Sequence, residues 1–297
     1  MISICIPTYN YDISNLIFRL NELLPILEIE YEIIVMEDGS EYEFSQQNEK
    51  KIKDIPNVNH IILPKNIGRS AIRNKLAETS RFNKLIFLDS DIKIDDHNFI
   101  KNYLDNIKYP IIYGGTKCDK LQKNDNCSLR YTCETEKIDK NFTRRFTTAN
   151  FMADKEIFNK VKFREFLTKY GHEDTLFAYE LEKNGISVKY IDNPVIHLAL
   201  DINEIFLEKT EQSIINIFEI EKNANIDKDF LNYIAMLKFY NEHKTIIKII
   251  FPFVNMFNKQ IKKYLIKSKN PKLVIFDLYK LIFYTKNKKR AYSIPNL

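Results

Sequence analysis

Apolar residues in the first two hundred positions fall into short uninterrupted runs separated by stretches with a helical period. Ile2 to Ile6, Tyr31 to Met36, Val58 to Leu63, Lys84 to Leu88 and Pro110 to Tyr113 have the length and continuity of buried strands. Ile13 to Leu27, Glu43 to Lys53, Ser70 to Ser80 and Asn98 to Asn106 repeat as helices do. Strands that are apolar on both faces and alternate with helices predict an α/β fold, its sheet mostly parallel and covered on both sides. From Gly115 to Thr143 the chain is polar and aperiodic, which predicts an irregular insertion or loop beside a site. A helix is predicted over Glu173 to Asn184, closed by Gly185, then a strand over Ser187 to Ile191 that Asn193-Pro194 breaks. After about Asp201 only helical patterns remain: Asn203 to Asn223, Asp227 to Glu242, Thr245 to Lys267 with Pro252 as a kink or break, and Pro271 to Tyr284. The expected organisation is a domain over residues 1–200 and a helical region over 201–297, basic and amphipathic after about 244.

With 297 residues, 44% of them hydrophobic, and only 15 Gly plus Pro, the chain can build a sizeable core and is neither collagen-like nor disordered. The net charge of +5 separates into unlike parts. Residues 244–297 hold 13 Lys/Arg against Asp277 alone, a net of +12, which leaves 32 basic and 39 acidic residues, a net of −7, in 1–243. Such a tail seeks an anionic surface. Lys259, Lys262, Lys263 and Lys267 interleave with Phe257, Ile261, Tyr264 and Leu265, and Lys286 to Arg290 form a further basic cluster. That pattern suits an anionic bilayer surface, and it equally fits apolar stripes packed on the body or on a second subunit. Ile246 to Phe257 is interrupted by Lys248, Pro252 and Asn255, so it is expected to lie on a membrane rather than cross it. No nucleic-acid recognition motif accompanies the lysines, and no nucleic acid partner is expected. The segment Met1 to Pro7 has no basic leader and reads as a strand. The four cysteines suggest a reduced state, and Cys118, Cys127 and Cys133 lack the close pairs of a zinc site. The expected location is cytoplasmic, peripheral on the inner face of the cell membrane.

In α/β sheets ligands bind beyond the carboxyl ends of strands, and the unusual polar residues sit there. Pro7-Thr8-Tyr9-Asn10 follows the first strand and Glu37-Asp38-Gly39-Ser40 the second. A carboxylate so placed can accept from a base N–H or ribose hydroxyls, and the same tetrad also fits a turn. Asp89-Ser90-Asp91 follows the fourth. Two carboxylates at the end of a buried run need a partner, either a hard cation such as Mg²⁺ or Mn²⁺ shared with diphosphate oxygens or a helix cap or turn. Asn66-Ile67-Gly68-Arg69-Ser70 enters a helix carrying Arg69 and Arg73, suited to a phosphate; Arg73 also suits a surface ion pair. Gly171-His172-Glu173-Asp174 sets two acids at a helix start, fit for a general base or for the helix dipole alone. His197 offers an imidazole to a metal or to the core.

In this order, Ser3 to Asn10, Glu37 to Ser40, Asn66-Ile67-Gly68 with Arg73-Asn74, and Phe87 to Asp91 resemble the family 2 glycosyltransferases of the GT-A fold over about residues 1–200. Gly171 to Asp174 with His197 resembles the C-terminal catalytic half of galactosyltransferase-like members. The resemblance implies a GT-A, Rossmann-like domain. It implies inverting, metal-dependent transfer of a sugar from a nucleotide diphosphate sugar, foremost a UDP-sugar, to a hydroxyl of a glycan or lipid-linked glycan in polysaccharide or glycolipid assembly. In that reading Pro7, Thr8 and Tyr9 border the nucleoside, Glu37 or Asp38 meets the base, and Arg69 lies near the uracil and diphosphate. Asp89 and Ser90 approach the ribose or donor sugar, and Asn150 lines that sugar. Asp91 ligates Mn²⁺ or Mg²⁺, His197 completes the metal shell, Asp174 deprotonates the acceptor hydroxyl, and Glu173 orients the acceptor. Two positions depart from the family: Glu37 stands where Asp is usual, leaving open which acid reads the base, and His172 replaces a Gly or aromatic. A scaffold that kept the fold without turnover is disfavoured by the costly acids at 89, 91 and 174. Nucleotidyl transfer is disfavoured by Pro7 to Tyr11, which contains neither Gly nor Lys.

Overall fold

The computed structural model describes residues 1–119, 124–138, 146–198, 200–223 and 225–293, the side chains of 137–138 and 289–293 excepted. In chain order the elements are β1 (Ile2–Thr8), α1 (Ser14–Leu23), β2 (Tyr31–Glu37), α2 (Tyr42–Ile52), β3 (Val58–Ile62), α3 (Arg69–Thr79), β4 (Lys84–Leu88), β5 (Ile92–Lys93), α4 (Phe99–Leu104), β6 (Ile111–Tyr113), β7 (Thr116–Cys118), α5 (Ser128–Cys133), β8 (Asn150–Asp154), α6 (Lys155–Val161), α7 (Glu173–Lys183), β9 (Val188–Tyr190) and β10 (Val195–His197). The helical part follows as α8 (Asn203–Lys222), α9 (Asp229–Tyr233), α10 (Ala235–Glu242), α11 (Lys244–Met256), α12 (Asn258–Lys267) and α13 (Leu273–Ser293). The chain forms two compact units, one of Met1–Asp119, Asn141–Thr168 and Glu173–Ala199, the other of Lys120–Lys140, Lys169–His172 and Leu200–Leu297.

In the first unit a seven-stranded sheet runs β3-β2-β1-β4-β8-β6-β9. β3, β2, β1 and β4 are parallel, as are β6 and β9, while β8 is antiparallel to both neighbours. Alternate side chains of a strand point to opposite faces, and here both faces are covered. Ile4, Ile33 and Ile86 join a layer with Ile17 and Leu20 of α1 and Phe99 of α4. Cys5, Ile34 and Phe87 join the other with Leu76 of α3 and Phe177 of α7. Phe87 stacks on Phe151 at 4.7 Å and on Phe158 at 5.0 Å, between ring centroids. Fully burying one such side chain is worth roughly 1.5–3 kcal/mol. A second sheet, β5-β10-β7, is built from two- and three-residue strands. It, β8, α5 and α6 lie outside the expected elements; β7 and α5 occupy part of the stretch expected to be irregular, of which residues 120–123 and 139–143 lie outside the described residues.

The second unit is helical. Leu129, Cys133, Phe206, Leu207, Leu265, Phe276 and Tyr279 form its core, with Ile261 and Tyr264 packed at its edge. The stripe of α12 expected to face a membrane is therefore partly interior, and Lys262 pairs with Glu211 at 2.9 Å. Tyr284 donates to Glu221 at 2.8 Å, and Lys288 pairs with the same carboxylate. Pro252 lies inside α11; the chain breaks instead at Phe257. The side chains of Lys289 and Arg290, in the expected basic cluster, lie outside the described residues.

Candidate active site

The carboxyl ends of β1, β2 and β4 carry the polar residues of the first unit. At the end of β2, the Asp38 carboxylate accepts from the backbone N–H groups of Ile67, at 2.7 Å, and Gly68, at 3.1 Å. It thereby clamps the loop that leads into α3. Gly39 makes this approach possible: at φ 69° and with Asn66 N only 2.3 Å from where a Cβ would stand, no other residue fits. Burial pushes the Asp38 carboxyl up, with the two N–H bonds opposing. Glu37 is fully enclosed. It accepts from Asn48 Nδ2 at 2.7 Å, lies 3.2 Å from His60 Nε2, and is bonded by the Ser40 hydroxyl. His60 reaches Glu49 with its other nitrogen at 2.6 Å. Burial opposes the charge of Glu37, but His60, Ser40 and Asn48 outweigh it and hold the carboxyl below its usual range. Burial likewise opposes the charge of His60, and the two glutamates raise its pKa. Thr8 is buried, Pro7 half-buried and Tyr9 exposed. With no surface and every bond internal, Glu37 has nothing left for a base.

Beyond β4, Asp89 meets α3. Arg73 is 2% exposed and donates Nη2 to Asp89 Oδ1 at 2.5 Å and Nη1 to the Arg69 carbonyl at 3.1 Å. Burial pushes the Asp89 carboxyl up, but the charges of Arg73, Arg69 and His197 hold it below the usual carboxylate range. Arg69, half exposed, lies 3.9 Å from the buried Glu173 at the start of α7. Burial and the adjacent Asp174 charge raise the Glu173 pKa, with Arg69 and Arg73 opposing. The chain enters α7 through two left-handed residues, Gly171 at φ 95° and His172 at φ 72°. Asp174 accepts from the Thr175 N–H at 2.6 Å and is half-buried, as is Ser90.

Four buried polar atoms on these elements have no hydrogen-bond partner: Thr8 Oγ1, Ser70 Oγ, Arg73 Nε and Glu173 Oε2. Folded proteins leave few such atoms, and these lie on β1, α3 and α7.

Asp91 and His197 are 106 positions apart in the chain but neighbours in space. β5 pairs antiparallel with β10, placing His197 opposite Ile92. Leu198 N–H donates to the Asp91 carbonyl at 2.8 Å, and His197 Nδ1 stands 3.8 Å from Asp91 Oδ2. The side chains are 18% and 35% exposed. A carboxylate oxygen and an imidazole nitrogen, both partly open, are a donor set that fits Mg²⁺ or Mn²⁺ completed by ligand oxygens. Among the described residues no three His, Cys, Asp or Glu side chains form a cluster able to hold a metal by themselves. Burial and the charges of Asp91 and Asp12 raise the Tyr11 pKa.

The family model for Glycosyl transferase family 2 matches residues 3–169, more than half of the chain. The chain belongs to glycosyltransferase family 2. Glu173, Asp174 and His197 of this glycosyltransferase lie beyond the matched stretch. No curated protein sequence matches the chain. Among solved structures, S. aureus TarS 1–349 is 16% identical with a TM-score of 0.53, covering 97% of this chain and 91% of that one. The same protein in complex with UDP-GlcNAc gives 16% and 0.51, covering 97% and 92%. The mannosyltransferase PcManGT from Pyrobaculum calidifontis, in complex with GDP-Man and Mn²⁺, gives 13% and 0.56, covering 97% and 86%. At these identities the likeness speaks to the GT-A fold.

Among the residues expected from sequence, Asp89 meets Arg73, Arg69 meets Glu173 and Asp91 meets His197, while Glu37 and Asn150 are enclosed. Glu37 is a buried strut. Asn150, expected to line the donor sugar, is fully buried: it accepts from Tyr103 Oη at 2.6 Å and donates to the carbonyls of Gly115 and Asn193 at 2.9 and 2.8 Å. It ties the bend after β6. Sequence reasoning missed the roles of Asn48 and His60 in holding Glu37. A lone histidine in the short strand Val-Asn-His-Ile-Ile carries no local signal of what it will face.

Proposed function

We propose that this glycosyltransferase moves a sugar from a nucleotide diphosphate sugar, with UDP as the nucleotide, to a glycan hydroxyl by an inverting, divalent-cation-dependent reaction. The observation that carries the reading is the apposition of Asp91 and His197, 3.8 Å apart and both partly open. Complexes of TarS with UDP and UDP-GlcNAc, and of PcManGT with GDP-Man and Mn²⁺, support donor and cation as chemical classes.

Thr8, Tyr9 and Asp38 border the nucleoside. Arg69 and the Nε of Arg73 offer positive charge and a donor to phosphate oxygens. Asp89, held ionised by Arg73, accepts from hydroxyls of the ribose or donor sugar, with Ser90 beside it. Asp91 and His197 would hold Mg²⁺ or Mn²⁺, which when bound supplies Lewis-acid neutralisation of charge on the departing diphosphate. Asp174 takes the proton of the acceptor hydroxyl as the new C–O bond forms at the anomeric carbon and the bond to the diphosphate oxygen breaks on the opposite face. Such a base is worth roughly a hundred- to ten-thousand-fold in rate. Glu173, buried against Arg69, orients the acceptor. The basic residues after 244 hold the protein on the inner, anionic face of the cell membrane, where a lipid-linked glycan acceptor resides. Polysaccharide or glycolipid assembly is the matching process.

The test is calorimetric titration of the protein with UDP, with and without Mn²⁺. Binding that strengthens with Mn²⁺ in wild type and not in Asp91→Ala supports the reading. Equal binding with and without the cation would overturn its metal dependence.

A further inference from the structure

The helix α11 (Lys244–Met256) has no buried residue, yet eight of its thirteen residues are Ile, Phe, Val or Met. Ile246, Ile249, Ile250, Phe253 and Met256, followed by Phe257, are 48–73% exposed. Their spacing of three and four places them in one stripe. On its inner side, Ile247, Phe251 and Val254 line an apolar groove of about 240 Å³ bordered by Phe239 of α10 and by Leu278 and Ile282 of α13. For scale, an apolar protein cavity of about 150 Å³ takes a benzene molecule, so a hydrocarbon chain longer than six carbons fits. Contiguous apolar surface of this kind on a soluble monomer marks an interaction site.

What covers it is set by charge and length. Lys244, Lys248, Lys259 and Lys263 are exposed beside the stripe, and no acid occurs between Glu242 and Asp277. A second copy packed symmetrically on this face would bring the same lysines together; an anionic lipid surface neutralises them. Thirteen residues span about 20 Å, short of the roughly 30 Å hydrocarbon core, and no helix among the described residues is long and apolar enough to cross a membrane. Such a helix lies in the plane of the interface with its apolar stripe in the acyl region.

We infer that α11 is the membrane-contacting element, embedded in the surface of an anionic bilayer, and that the groove between α10, α11 and α13 takes up a lipid hydrocarbon chain. This rests on the membrane reading above and narrows it to one helix and one groove, away from α12, whose stripe is partly interior.

The chain contains no tryptophan, so a single introduced one is a clean probe. Phe253→Trp reports the open stripe and Phe251→Trp the groove. The full chain is mixed with phosphatidylglycerol/phosphatidylcholine vesicles whose acyl chains are brominated, and sedimentation is scored in parallel. The expected result is sedimentation with blue-shifted, quenched emission from both variants. Ile250→Asp with Phe253→Asp should lower sedimentation by about tenfold or more while sugar-nucleotide turnover in solution is unchanged. Quenching of Phe253→Trp alone overturns the groove. Sedimentation without quenching of either variant overturns α11 while leaving the membrane reading intact. No sedimentation of the wild-type chain sinks both. A blue shift without vesicles, accompanied by a doubled mass, assigns the face to a second copy and also overturns the proposal.

Discussion

Replacing Arg73 with Met removes the cation from a nearly closed ion pair. Arg73 Nη2 stands 2.5 Å from Asp89 Oδ1, with the side chains 3% and 20% exposed. Removing one partner of a buried pair costs about 3–5 kcal/mol, because the other charge is left uncompensated. Asp89 keeps a fifth of its surface, so water recovers part of this, and the expected loss is about 2–3 kcal/mol at neutral pH. Asp89 is held below its unfolded value; its stabilisation is therefore present above the unfolded carboxyl pKa of about 3.9 and lost as pH falls through the lower folded value. In Arg73→Met the relieved carboxylate takes up a proton earlier on acidification and sheds its unpaired charge. The stability gap between wild type and variant should thus be widest near pH 7 and narrow steadily toward about pH 4. Urea unfolding followed by circular dichroism across that range reads the gap. Adding Asp89→Asn should recover part of the loss, because the orphaned charge goes with it. A gap that is constant with pH, or below about 0.5 kcal/mol, would refute the electrostatic reading of this pair.

Four further outcomes follow from the same geometry. Asn150→Ala leaves Tyr103 Oη and two carbonyls without their partner, so it should cost about 2–4 kcal/mol in stability and leave the donor KM of the surviving folded enzyme unchanged; a raised KM in a stable variant would restore Asn150 to the sugar site. Gly39→Ala should destabilise by more than about 3 kcal/mol because its Cβ meets backbone, whereas Gly68→Ala, with nothing within 4 Å of its Cβ, should cost about 1–3 kcal/mol for its positive-φ extended backbone alone; melting curves separate the two. His60 titrates above its unfolded value, so its bonds to Glu37 and Glu49 contribute fully below about pH 6.5 and are lost as pH rises through the folded pKa; His60→Gln should flatten the melting temperature against pH across that interval. Asp174→Ala should lower transfer by a hundredfold or more, roughly the worth of a general base, with an unchanged melting temperature.

The sequence made the sheet legible where strands are long and apolar on both faces, as in Ile2–Thr8 and Tyr31–Glu37, because such runs have one way to be buried. It hid β5, β7 and β10, whose two or three residues are too few to show any period. Those short strands are what join Asp91 to His197, so the pair rested on family resemblance until the ladder gave it a geometry. Acids were legible as acids, but not by orientation. Asp38 and Glu37 are adjacent, and only the fold turns one to a loop and encloses the other behind His60, Asn48 and Ser40. Asn150 misled because its neighbourhood matched the family, whereas its side chain serves the bend at Gly114 and Gly115. The tail's charge was legible, but its apolar residues divide between core and surface in a way that composition does not reveal: Leu265 is interior and Phe253 is 68% exposed.

The central claim is that Asp91, His197 and Asp174 act on a nucleotide diphosphate sugar. The most direct measurement is release of free nucleoside diphosphate from a panel of UDP- and GDP-sugars, with Mn²⁺, Mg²⁺ or a chelator, by wild type and by Asp91→Asn and Asp174→Asn. The account predicts release from a UDP-sugar that needs the cation and is lost in both variants while they remain folded. Release that persists in chelator, or that both variants retain at the wild-type rate, would contradict it.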